Sequence, residues 1–192
     1  RRDAERGGAD DGVLAPHRRA TTIGLLLVIT LVGFEALAIA TVMPKVSRDL
    51  NGISLYGWVF SAFLLAQLVG IVVAGSSADR YGPERPFLIG LVLLALGLII
   101  GALAPSMEVL VGARAIQGLG AGVIPAVAYV VIGRAYPTQM QPRMFAMLST
   151  AWVVPSLMGP AIAAVIASAF GWRWVFAGII PIVAIAALLA AP

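Results

Sequence analysis

Polar and apolar residues come in long blocks along this chain, rather than at the short spacing of an amphipathic helix or a half-buried strand. A polar leader, RRDAERGGADDGVLAPHRR over 1–19, is followed by six apolar stretches at about 21–44, 54–78, 86–104, 108–133, 143–168 and 174–191. No charged residue occurs from Leu50 to Ala78 or from Met144 to Trp172. A helix needs about 20 apolar residues to cross a hydrocarbon core of roughly 30 Å. Each stretch therefore predicts a membrane-spanning helix, with the third and sixth nearest the limit. Only helices satisfy the backbone at these lengths, because lipid offers peptide groups no partners. The expected fold class is an all-α membrane protein, a six-transmembrane-helix bundle over 21–192 behind a tail at 1–20. Short connections make successive helices antiparallel neighbours. Pro125, Pro155, Pro160 and Pro181 fall inside spans and are expected to bend them.

The arginines orient the bundle. One set of ends carries Arg1, Arg2, Arg6, Arg18, Arg19, Arg80, Arg85, Arg134 and Arg143, while the other carries only Lys45, Arg48 and Arg173. The positive-inside rule places the first set, and both termini, in the cytoplasm. Trp58, Trp172 and Trp174 then fall near the outer interface, where amphipathic rings anchor. The leader reads as a mobile cytoplasmic tail, and its His17, the sole histidine, as a solvated residue. The chain begins with Arg1, as a trimmed segment of something longer would.

Composition narrows the class further. Of 192 residues, 60% are hydrophobic and 11% charged, with mean hydropathy +0.98. A soluble domain is nearer a quarter charged. The absence of cysteine excludes a disulfide framework and thiolate zinc sites. The net charge of +4 is mostly a topology signal, so nucleic acid is not an expected partner. No metal-ligand cluster, nucleophile–histidine set or phosphate-cradling loop points to an enzyme. No metal or cofactor is expected. A channel has no supporting ring of charge.

Two ionisable residues lie well inside spans, Glu35 in the first and Arg114 in the fourth. Intramembrane charges are costly, so a functional site is the default reading. At 1.5 Å per residue, Glu35 lies roughly 13 Å and Arg114 roughly 9 Å below the outer surface. They share the outer half of the membrane and can pair if their helices face one another, which depth alone does not fix. Burial and a neighbouring cation act in opposite directions on a carboxyl. Glu35 beside Arg114 is thus a candidate for protonation that follows water access or a cationic ligand. The plainer alternative is a static ion pair joining two helices. Arg114 alone also suits a bracket on backbone carbonyls.

The loop after the second span reads Gly75-Ser-Ser-Ala78-Asp79-Arg80-Tyr-Gly82-Pro-Glu-Arg85. It resembles the signature loop of the major facilitator superfamily, G-x-L-A-D-R-x-G-R-K-x-x-L, departing at Ser77, Pro83 and Glu84. The fourth span, Leu110-Val-Gly-Ala-Arg114-Ala-Ile-Gln117-Gly118-Leu-Gly120-Ala121-Gly122, is similar to that family's L-x-x-x-R-x-x-Q-G-x-G-A-A. The first, from Phe34-Glu35 to Pro44, is similar to L-D-x-T-I-V-N-V-A-L-P of fourteen-span drug:proton antiporters, with Ala40 replacing the asparagine. The fifth keeps only Gly159-Pro160 of the antiporter motif G-x8-G-x3-G-P-x2-G-G. Ala146, Pro155, Ala163 and Ala164 stand at its other glycine positions. Gly171-Trp172-Arg173-Trp174-Val-Phe resembles the same subgroup before its sixth helix.

The resemblance implies the amino-terminal six-helix half of a two-half transporter, with helices 1–3 and 4–6 as inverted repeats. A companion half would complete it. On that basis Glu35 and Arg114 carry proton coupling. Asp79, Arg80, Gly82 and Arg85 form a conformational latch, and Gly159 and Pro160 bend the fifth helix. Gln67, Gln117 and Tyr129 are candidate cavity residues, with interhelical contact as their plainer role. The implied activity is proton-coupled efflux of amphipathic or hydrophobic small molecules across a bacterial inner membrane. A carrier for a specific metabolite, and a non-transporting membrane module, remain alternatives.

Overall fold

The computed structural model describes residues 12–13, 15–16 and 18–190. His17, most of the leader and the last residue of the sixth stretch lie outside them. The helices are α1 (Arg19–Asp49), α2 (Tyr56–Tyr81, entered by a 3-10 turn at Ile53–Leu55), α3 (Glu84–Leu103), α4 (Met107–Ala135), α5 (Gln141–Ala169), α6 (Arg173–Ala177) and α7 (Ile180–Ala190). Helices α1 to α5 are each long and apolar enough to cross a membrane, and Arg173–Leu188 forms a shorter apolar run. The chain is an all-α bundle of six spans, as the block pattern predicts.

Proline acts differently at different sites. Helix α1 continues through Pro44 to Asp49, where the sequence suggested an end. Helices α4 and α5 also run unbroken through Pro125, Pro155 and Pro160. The sixth span is interrupted between α6 and α7. Pro181 has no N–H to donate to the Ala177 carbonyl. The Ile179 N–H instead bonds to Phe176 at 3.3 Å, a tighter turn.

Packing exchanges helices between the two three-helix repeats. The first helix of the first repeat, α1, packs mainly on α5 and on α7. The first helix of the second, α4, packs mainly on α2 and α3. Helices α2 and α5 leave most of their surface exposed, whereas α1, α3 and α4 bury about half. Leu64, Leu68 and Val72 of α2 and Val153, Leu157 and Val165 of α5 are among the exposed apolar side chains. In water such patches would aggregate; in a bilayer they meet their own solvent. The α2–α4 crossing depends on Gly118 and Gly122. A Cβ at either position would drive into the backbone carbonyl of Phe63 or Gln67. Small residues at this spacing allow backbones to touch where lipid supplies no hydrophobic drive.

Of the three cations on the sparsely charged side, Lys45 and Arg173 serve helix carboxyl ends, and Arg48 bonds back within its own helix. Lys45 donates to the Ala167 carbonyl near the end of α5 at 3.2 Å, Arg173 to Ala104 just after α3 at 3.0 Å, and Arg48 to Pro44 in the last turns of α1 at 3.0 Å. Terminal carbonyls lack intrahelical donors and carry the negative end of the dipole. Trp172, at the same end of the bundle as Asp49, is buried rather than open to an interface. It is 2% exposed and its indole N–H donates to Asp49 at 3.0 Å, whereas Trp58 and Trp174 are exposed.

Two of the described leader residues are docked rather than solvated. Val13 and Ala15 are each 3% exposed. The Thr22 hydroxyl donates to the Val13 carbonyl at 2.6 Å and lies 2.7 Å from the Tyr136 hydroxyl. Thr22 has one hydrogen, directed at the Val13 carbonyl with the Arg18 carbonyl also in reach at 3.0 Å, so Tyr136 is the donor between the two hydroxyls. Thr22→Val leaves a buried carbonyl and a buried phenol without partners. It is expected to cost about 1–3 kcal/mol, seen as a lower unfolding temperature in detergent. Tyr136→Phe, which removes one donor only, should cost less. Equal melting of Thr22→Val and wild type would refute the contact.

Candidate functional site

Glu35 of α1 and Arg114 of α4 meet in the bundle interior, each 1% exposed. One guanidinium nitrogen, Nη1, donates to Glu35 Oε1 and also to Gln117 Oε1, the latter at 2.8 Å. Gln117 lies one turn along α4 from Arg114, which brings the two side chains together. The guanidinium carbon sits 4.0 Å from the centre of the Phe63 ring of α2, a cation–π contact strengthened by loss of water. Three helices thus hold one arginine. Three polar atoms of the cluster are buried without a protein partner: Glu35 Oε2, Arg114 Nε and Gln117 Nε2. An open acceptor beside two open donors means that the bonding of this cluster is incomplete in this arrangement.

The loop residues are arranged around a charge from elsewhere. Gly82 takes φ +80, a conformation that other residues rarely adopt, and turns α2 into α3. Asp79 accepts from Arg134, in the last turn of α4, at 3.1 Å. Arg80 lies over the neighbouring Tyr81 ring at 5.3 Å. Arg85 makes no ion pair among the described residues; it lines a cavity of about 330 Å³ with Ser77 and Tyr81. The sequence names no partner within this chain for Asp79. The structure supplies Arg134, whose position in the last turn of α4, at the same membrane face, was the available signal.

Of the candidate cavity residues, Gln117 belongs to the Arg114 cluster and the others stand apart from it. Gln117 is fully buried with Arg114. Gln67 is half-buried on α2. Tyr129 is 53% exposed and stacks on Phe145 of α5 with ring centres 5.6 Å apart. It lies about 18 Å along α4 from Gln117, too far to share one small ligand's contacts. Gly159 approaches the Phe34 ring of α1, where an added Cβ would lie at 3.4 Å. Pro160 follows it within the unbroken α5. No group of three or more acidic, histidine or cysteine side chains suited to a metal occurs among the described residues.

The family model described as Major Facilitator Superfamily matches residues 25–192. The chain belongs to that superfamily. It is 31% identical over 160 residues to Multidrug resistance protein 3 of Bacillus subtilis, covering 83% of this chain and 31% of that protein. It is 31% identical over 149 residues to a probable multidrug-efflux transporter of Mycobacterium tuberculosis, covering 78% of this chain and 32% of the other. The chain thus spans about a third of the length of these curated relatives. In fold it is similar to a crystal structure of a D-xylose-proton symporter. The TM-score is 0.78 at 17% identity, over 89% of this chain and 47% of that one. Membership in this superfamily places the chain among transporter proteins rather than enzymes.

In this member of the superfamily the Asp79–Arg134 pair is exposed, with side chains 78% and 51% accessible. Exposed pairs contribute roughly 0–1 kcal/mol and are screened by salt. Asp79→Asn is therefore expected to leave the unfolding temperature within a few degrees of wild type. A large loss of stability would show that Asp79 has a buried structural role instead.

Proposed function

We propose that this chain is the amino-terminal half of a proton-coupled exporter of amphipathic or hydrophobic small molecules, working by alternating access in a bacterial inner membrane with both ends cytoplasmic. The observation that carries this reading is the buried Glu35–Arg114 pair, which joins the first helices of the two repeats. Protonation of Glu35 releases Arg114 from one acceptor, and Gln117 remains as the other. The cluster would therefore pass between a paired and an unpaired state with the proton on Glu35, as a coupling site needs. Protons entering from outside would neutralise Glu35 and favour substrate release; loss of the proton inward would reset the carrier. Asp79 with Arg134, together with the turn at Gly82 and the neighbouring Arg80 and Arg85, latches one state at the cytoplasmic face. Gly159 and Pro160 set the α1–α5 approach. A second half would complete the carrier, in keeping with the relatives' length.

The test is dye efflux from energised cells expressing the whole transporter, wild type against Glu35→Gln at equal expression. Export by wild type under a proton gradient and none by the mutant is expected. Equal export by both would remove Glu35 from coupling. A second reading, a carrier for one metabolite, is favoured by the fifth-helix motif, of which only Gly159-Pro160 is kept. It gains if the wild type exports no cationic dye.

A further inference from the structure

Two grooves run end to end along α1 and α5, the cytoplasmic one in the seam between them and the outer one walled also by α6 and α7. The cytoplasmic groove, about 490 Å³, is walled by Leu26, Ala146, Met147, Thr150 and Ala151, with Arg143 among its lining. The outer groove, about 400 Å³, is walled by Leu31, Phe34, Met158, Ile162 and Trp174 among others. Thr30 and Val154 line both, so the two are consecutive parts of one track.

The chemistry of the track is polarised along its length. Arg143 is the only charged side chain lining either groove. It is exposed and makes no ion pair among the described residues. It lies in the first turn of α5, where the positive end of the helix dipole adds to its charge. Beyond it the wall is mostly apolar: the Thr150 hydroxyl is turned onto the Ala146 carbonyl at 3.0 Å, and Thr30 is the other hydroxyl that lines the grooves. The 11 residue steps from Arg143 to Val154 rise about 17 Å, close to half of a hydrocarbon core of roughly 30 Å. A cation at the cytoplasmic interface thus heads an apolar groove one leaflet deep.

The geometry points to a binding site for an anionic phospholipid of the cytoplasmic leaflet, its phosphate at Arg143 and one acyl chain along the α1–α5 seam. The guanidinium fork matches phosphate oxygens. The groove supplies what a soluble anion would not use, a long apolar wall that opens within the membrane. Such a lipid would bear on the packing of α1 against α5, the contact that joins the two repeats on this side of the bundle. This site is separate from Glu35 and does not depend on the direction or substrate of transport.

The test uses the whole transporter, stripped of lipid and titrated with phosphatidylglycerol or phosphatidylcholine, with retained lipid counted by native mass spectrometry. Wild type is expected to retain phosphatidylglycerol in preference to phosphatidylcholine. Arg143→Gln should lower phosphatidylglycerol retention about tenfold, from loss of a charged hydrogen bond. Arg143→Lys should keep most of it. Arg80→Gln, which removes the same charge from the same face, should leave it unchanged. Ala151→Trp, which narrows the groove, should lower retention with Arg143 intact. Equal retention of the two lipids, or no change in Arg143→Gln, would overturn the proposal. So would an Ala146→Cys variant that crosslinks to the second half, since protein would then cover the groove.

Discussion

Gly118→Val is expected to leave little folded protein. Small-to-large changes in a packed interior cost about 1–3 kcal/mol when neighbouring side chains can shift. At Gly118 the obstacle is the carbonyl and Cα of Phe63 on α2, and at Gly122 the carbonyl of Gln67. No rotamer change relieves a clash with backbone, so the helices must separate. Separation also withdraws the Phe63 ring from Arg114, which it faces at 4.0 Å. The loss at the crossing therefore spreads to the buried charge. Gly112, on the same helix, is the control, because a Cβ there meets nothing within 4 Å. Gly112→Ala should be neutral or raise stability by up to about 1 kcal/mol through helix propensity. The measurement is the fraction of monodisperse protein surviving a temperature series in detergent. A Gly118→Val protein that melts with wild type would mean that α2 and α4 do not touch there.

Much of this architecture was legible because bilayer thickness acts on composition. Twenty apolar residues have few uses other than crossing lipid, so the spans announce themselves. Their ends do not. The extension of α1 through Pro44 to Asp49 depends on tertiary support for a helix that proline weakens, and the break near Pro181 depends on where such support is lacking. The Glu35–Arg114 pairing could be approached from depth along each helix, since both lie in long apolar runs. The other groups around the arginine could not. Gln117 was a candidate cavity residue with a structural contact as its plainer role, and its three-residue spacing from Arg114 already placed it within reach of that side chain. Phe63 comes from another helix, and no spacing in the chain encodes which face of α2 meets α4. The burial of Trp172, and of Val13 and Ala15 in the leader, was not legible for one reason: their neighbours in sequence read as interface or solvent, while long-range partners, Asp49 for Trp172 and Thr22 for Val13, hold them in place.

Arg114→Leu should be far more damaging than Glu35→Gln, and the two together distinguish a bracket from a coupling site. Removing Arg114 strands a carboxylate that is 1% exposed, and breaking a buried pair in this way costs about 3–5 kcal/mol. Removing the charge of Glu35 costs less, because Gln117 at 2.8 Å and the Phe63 ring still hold the guanidinium. Replacing both partners by apolar residues, Glu35→Leu with Arg114→Met, leaves no stranded charge, only the buried Gln117 amide without its one partner, and is expected to come within about 1–3 kcal/mol of wild-type stability. If the pair only ties α1 to α4, that double variant recovers efflux along with stability. If Glu35 carries the proton, the double variant is stable and silent, since no titrating group remains to link the proton gradient to the cycle. Unfolding temperature and dye export measured on the same preparations of the whole transporter separate these results. A stable double variant that still pumps dye against its gradient would leave Glu35 and Arg114 as structural residues. A stable one that does not pump would show that this costly pair is kept for what its proton does.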